Sequence, residues 1–161
     1  MSHGAIRRRE RMHGGRVRQS GTDSDLSSRP DVVAWTIDGD ADGRPLVGSS
    51  AYRLHFDAGR EPPAHGFWSL VMHDERCLSK NNPMHRYSVG DRGSLSFDDD
   101  GALNVFVSHD PPPKDRRSNW LPAPRGPFHL VLNIYWPRPE VLNGDWLPPP
   151  IRTFDPWSDD R

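Results

Sequence analysis

Seventeen prolines punctuate this chain of 161 residues, about one residue in ten and roughly twice the usual frequency. An interior proline costs a helix about 3 kcal/mol. Long helices are therefore excluded, and the chain must fold through short elements joined by tight turns. From Asp31 onward the sequence has that form, with short apolar runs cut by Gly, Pro, Asn and Asp. These runs predict strands over 32–37, 51–57, 66–73, 85–89, 94–98, 102–108 and 128–136, and period-2 alternation supports several of them. Tyr52, Leu54 and Phe56 share one face, with Arg53 and His55 on the other. Phe128, Leu130, Leu132, Ile134 and Trp136 form a second apolar row.

Asp98 to Gly101 separates two of these runs and reads as a hairpin connection, Gly101 supplying a positive φ. Proline at 139 and glycine at 144 frame one short helical turn over 139–143. Pro111–Pro113 and the stretch holding Pro122, Pro124 and Pro127 read as stiff loops. The expected class is all-β, an antiparallel β-sandwich or jelly roll with one or two short helical turns.

Charge divides the chain. Residues 1–30 hold seven arginines against three acids, net +4, while the remaining 131 residues sum to −5. The first segment has only six apolar residues, too few for burial to offset ordering entropy. It is expected to be a disordered basic tail, followed by a sandwich domain over 31–154 and a C-terminal tail over 155–161. The mildly acidic body argues against nucleic-acid binding. No window reaches 18 consecutive apolar residues, so no membrane span is expected. No apolar segment follows Arg7, Arg8, Arg9 and Arg11, so no signal peptide is recognised and a cytoplasmic location is expected.

Chemistry-bearing motifs are sparse. A single cysteine, Cys77, excludes an internal disulfide and any multi-cysteine zinc site. Asp38 to Gly43 resembles the first half of a calcium loop, but the twelfth position is Ser49 rather than a bidentate glutamate. The folded part has no His-x-His or His-x-x-x-His pair. His55 and His73 could meet only if their strands pair, so no metal and no cofactor are expected. Ser69 in Phe-Trp-Ser-Leu lacks the glycines of a nucleophile elbow. The tryptophans Trp68, Trp120, Trp136 and Trp146 are read as core rather than as a ligand platform.

Several stretches in order, however, resemble one family. They are Asp40-Ala-Asp-Gly-Arg-Pro-Leu-Val-Gly48, Tyr52-Arg-Leu-His-Phe56, Pro62-Pro-Ala-His-Gly-Phe-Trp-Ser-Leu70 and Asn82-Pro-Met-His-Arg-Tyr-Ser-Val-Gly90. Asp100-Gly101, Ser118-Asn-Trp-Leu-Pro-Ala-Pro124 and Tyr135-Trp-Pro-Arg-Pro139 complete the set. Together they are similar to the domain of unknown function 1214 family over about residues 40–150. The resemblance implies an all-β sandwich that usually forms the C-terminal half of a larger protein, behind a domain of unknown function numbered 1254. Residues 1–35 do not resemble that second domain, so the chain is expected to be the C-terminal domain alone. His73 replaces a usual tyrosine and Asn133 a usual arginine.

Two functions follow. The first is a non-catalytic binding or assembly module that self-associates or takes a partner protein in place of the missing domain. The second is a hydrolase-like enzyme with a polar pocket of Arg53, His55, His73, His85, Arg86, Tyr87 and Asn119. Phe67, Trp68, Asn119, Trp120, Pro122 and Pro124 are assigned structural roles, with the Trp120 indole anchoring the proline-rich loop.

Overall fold

The computed structural model describes residues 17–21, 31–74 and 86–155. The expectations placed on residues 1–16, 22–30 and 156–161, and on Cys77 and His85, lie outside them. Nine strands are present: β1 (Val17–Gly21), β2 (Val32–Ile37), β3 (Tyr52–Phe56), β4 (Ala64–Asp74), β5 (Ser88–Gly90), β6 (Leu103–Ser108), β7 (Trp120–Pro122), β8 (Phe128–Pro137) and β9 (Arg152–Thr153). A 3-10 helix covers Lys114–Asn119, and the short helix α1 covers Pro139–Leu142. The strands form two sheets, β1-β2-β8-β4-β5 and β7-β6-β3-β9. Every pairing is antiparallel except β6 with β7.

Alternation explains why the sheets pack face to face. Val33, Trp35 and Ile37 of β2 lie opposite Ile134, Leu132 and Leu130 of β8, which lie opposite Trp68, Leu70 and Met72 of β4. All nine side chains are buried. Tyr52, Leu54 and Phe56 with Leu103, Val105 and Val107 supply the facing layer. Aromatic contacts lock the layers: Tyr52 meets Phe128 edge-on at 5.9 Å and Phe56 meets Trp68 at a tilt of 51° and 5.9 Å between ring centroids. Such aromatic pairs contribute about 0.5–1.5 kcal/mol beyond area burial.

Four expectations need correction. Within the expected tail, Val17–Gly21 forms an edge strand on β2. The main-chain ladder that β2 offers on its open side needs no apolar mass from its partner. Residues 94–98 carry alternating residues but form no strand; Ser96 is held instead by the side chain of Asn119. Residues 114–122, assigned neither helix nor strand from the sequence, contain the 3-10 helix and β7. The parallel register of β7 places Trp120, Leu121 and Pro122 beside Phe106, Val107 and Ser108.

The fourth correction concerns Trp136. It does not continue the buried row of β8: its φ is 50° and its side chain is 56% exposed. A left-handed conformation at a bulky residue rotates the side chain out of the strand's alternation and is sterically unfavourable. Pro137 is buried in its stead. Glycine makes this possible, because a Cβ at Gly66 would strike the Trp136 ring and lie 2.8 Å from the Tyr135 carbonyl oxygen.

Turns behave as their residues dictate. Gly101 has a φ of 86°, and the Asp98 N–H donates to the Ala102 carbonyl at 2.8 Å. Asp40 is buried, its carboxylate accepting the N–H groups of Asp42 and Arg44, both at 2.9 Å. The acidic stretch is thus a backbone-closed turn. The Gly48 N–H donates to the Gly126 carbonyl at 3.0 Å, and a Cβ at Gly48 would fall on the Pro124 carbonyl oxygen. Gly48→Ala is expected to displace the proline-rich loop and to cost about 1–3 kcal/mol, read as a lower urea midpoint.

Candidate functional site

The open end of the sandwich beside β5 holds a cleft of about 280 Å³. Its construction begins with Arg86. The Arg86 Nη1 donates to the carbonyls of Arg117, Ser118 and Trp120 at 2.9, 3.3 and 3.1 Å. It therefore pins the approach to β5 against the end of the 3-10 helix and the start of β7. Next to it, Asn119 is buried and its amide is fully used. Nδ2 donates to the carbonyls of Ser96 and Asn104 at 2.6 and 2.8 Å, and Oδ1 accepts the Ser96 N–H at 2.8 Å. The Trp120 indole N–H donates to the Ser108 carbonyl at 3.1 Å.

The other wall comes from β4 and the turn after β5. Asp91 accepts the Trp68 N–H at 3.2 Å and fixes that turn. Gly90 lets it approach, since a Cβ there would strike the Trp68 carbonyl oxygen. The turn presents Arg92, whose guanidinium lies 3.7 Å over the Phe67 ring. Phe67 in turn stacks on Tyr135 at 4.3 Å and 18°. In the layered order Arg92, Phe67, Tyr135 the guanidinium lies over an aromatic ring, and its N–H groups are of the kind that bind a carboxylate or phosphate. Hydroxyls of Ser69, Ser88, Ser94 and Ser118 complete the lining.

The proposed polar pocket is brought together only in part. Arg86 and Asn119 stand at this end. Tyr87 precedes β5 and is half-buried, its carbonyl accepting the Met72 N–H at 2.9 Å. Arg53 and His55 lie on the outward face of the four-stranded sheet. There Arg53 covers Phe154 at 4.8 Å, while His55 contacts Asn104 at 2.7 Å and Asp57 at 3.1 Å. A neutral imidazole has one N–H and cannot donate to both. His73 lies on the outward face of the other sheet, so the pairing considered for His55 and His73 does not occur. His73 sits opposite His129 instead. Among the described residues no group of three His, Cys, Asp or Glu is placed to hold a metal ion.

Arg92, Ser88, Ser94 and Ser118 are absent from the pocket expected from the sequence, where Ser69 figures only as a nucleophile lacking its elbow. Asp91-Arg92-Gly93 announces a turn, but only strand pairing shows that Phe67 lies beneath it. No described helix is long and apolar enough to cross a membrane.

Fold and cleft together define a two-layer β-sandwich domain with a cationic, hydroxyl-lined hollow at one sheet edge. The chain belongs to the family described as protein of unknown function (DUF1214), which matches residues 31–139. No curated protein matches it. The crystal structure of the VPA0106 protein from Vibrio parahaemolyticus is similar, with a TM-score of 0.68 and 27% identity. That similarity covers 78% of this chain and 31% of the Vibrio chain, so the domain spans about a third of its relative. A putative uncharacterized protein from Burkholderia cenocepacia aligns at a TM-score of 0.47 and 12% identity, over 84% of this chain and 32% of that one.

Proposed function

We propose that this domain is a non-catalytic binding module, and that the cleft beside β5 receives a small anionic ligand. The observation that carries this reading is the Arg92 guanidinium held 3.7 Å above Phe67 at the cleft wall. An arginine braced on an aromatic ring loses little further freedom when it grips a carboxylate bidentately. The serine hydroxyls supply orientation without a group suited to proton transfer. Trp68 lines the same cleft, so its fluorescence is a direct reporter. Titration with a panel of carboxylates and phosphate should give saturable quenching, weakened at least tenfold by Arg92→Ala and only partly recovered by Arg92→Lys. Absence of saturable binding across the panel would overturn the reading. The hydrolase-like alternative requires His55 and His73 to act on one substrate from the outward faces of different sheets. Turnover of an ester or sugar library, lost on His55→Ala, would restore it.

Assembly is the second reading, favoured by Trp136. An indole 56% exposed and held at a φ of 50° is a costly arrangement unless something covers it. Beside it lie Phe67 and Tyr135, on a sheet face that also carries the half-buried Val71 and Val131. Light scattering at micromolar concentration should return a mass above 18.3 kDa, and Trp136→Ser should return it to the single chain. A monomer in both cases counts against self-association.

A further inference from the structure

The central strands of the five-stranded sheet carry a histidine pair that neither reading above uses. His73 of β4 and His129 of β8 are direct partners in the antiparallel register. Their neighbours Met72, Phe128 and Leu130 point into the core, so alternation puts both imidazoles on the outward face. Both are half-buried. Their ring centroids are 5.2 Å apart and their planes within 8°.

That spacing is the one a shared metal ion needs. A zinc ion bonds imidazole nitrogen at about 2.0–2.1 Å, which places each ring centroid about 3.2 Å from the metal. At a tetrahedral angle the two centroids then lie about 5.2 Å apart. The separation is therefore already correct, and what must change is the direction of the nitrogens. Rotation about χ2, which is broad for histidine, turns them toward one point without moving the strands. Cross-strand partners have Cβ atoms about 4.5–5.5 Å apart, so the backbone holds both ligands at short range before any ion arrives.

We propose that His73 and His129 form a two-histidine chelate for a divalent transition metal ion of the zinc class. Imidazole selects such ions over magnesium and calcium, which prefer oxygen ligands. The site lies on the paired strands β4 and β8.

Zinc titration of the full chain tests this, with isothermal calorimetry for affinity and imidazole 15N NMR to say which rings respond. His3→Ala and His13→Ala are introduced throughout to remove the N-terminal imidazoles. One zinc ion should bind and shift the nitrogens of His73 and His129 together. His73→Asn and His129→Asn should each weaken binding at least tenfold, while His55→Ala leaves it unaltered. Magnesium at the same concentration should shift neither ring. The melting temperature without metal checks that the variants fold, and its rise on adding zinc should be confined to the chain holding both histidines. Undiminished affinity in a folded His73→Asn or His129→Asn chain would overturn the site. So would zinc-dependent shifts confined to other histidines.

Discussion

Trp120→Ala is expected to lower the unfolding free energy by about 3–5 kcal/mol, the range for truncating a buried large aromatic side chain. Three observations set this magnitude. The side chain is 5% exposed, so its removal opens a cavity rather than a dent. Its indole N–H serves the Ser108 carbonyl at 3.1 Å, an acceptor that the truncation leaves without that donor. Trp120 also begins β7, whose parallel pairing with β6 closes one edge of the smaller sheet. Equilibrium urea unfolding measures the effect. A loss below about 1 kcal/mol would be that of a surface residue and would contradict the anchoring role.

Asn119→Leu should be nearly as damaging despite similar volume. The leucine fits the space but strands the Ser96 N–H and the carbonyls of Ser96 and Asn104, all now satisfied by one buried amide. Ser96 is exposed, so its freed groups reach water, and each part-buried bond lost costs about 0.5–1.5 kcal/mol. Because Ser96 belongs to a segment without strand pairing, the change should also loosen residues 94–98. Faster amide hydrogen exchange there, with the centre of β8 unaffected beyond the global loss, is the expected signature. Unchanged exchange at Ser96 would mean that other contacts hold the segment.

How much of this was legible beforehand follows from the range of each interaction. The strand 32–37 is legible to the residue and 102–108 to within one, because an apolar run bounded by turn residues and an alternation are both recorded locally. The turn at Gly101 and the helix at Pro139 were legible for the same reason: a positive φ and a missing N–H belong to single residues. Residues 94–98 alternate equally well and pair with nothing. Their backbone is satisfied by Asn119, a residue 23 positions later, and no local pattern carries that.

The site was less legible still. Arg86 and Asn119 were found, their stretches carrying the family resemblance, but they serve to build the cleft. Arg92 was missed because its role depends on Phe67, 25 positions earlier, lying under it in the folded sheet. The partner of His73 is His129 rather than His55, and the sequence does not state which sheet each strand joins.

Proline frequency and alternation by themselves determined an all-β sandwich of short strands, with Trp68, Trp120 and Trp146 buried as large apolar bodies. Burying an apolar side chain is favourable wherever the core lies, so the periodicity of such residues survives any particular topology. Which strands became neighbours was decided only in three dimensions. The tertiary structure alone turned Trp136 outward, laid Arg92 on Phe67 and set His73 against His129. Each depends on a register between distant segments, and register is fixed by pairing across the sheet rather than by either strand alone.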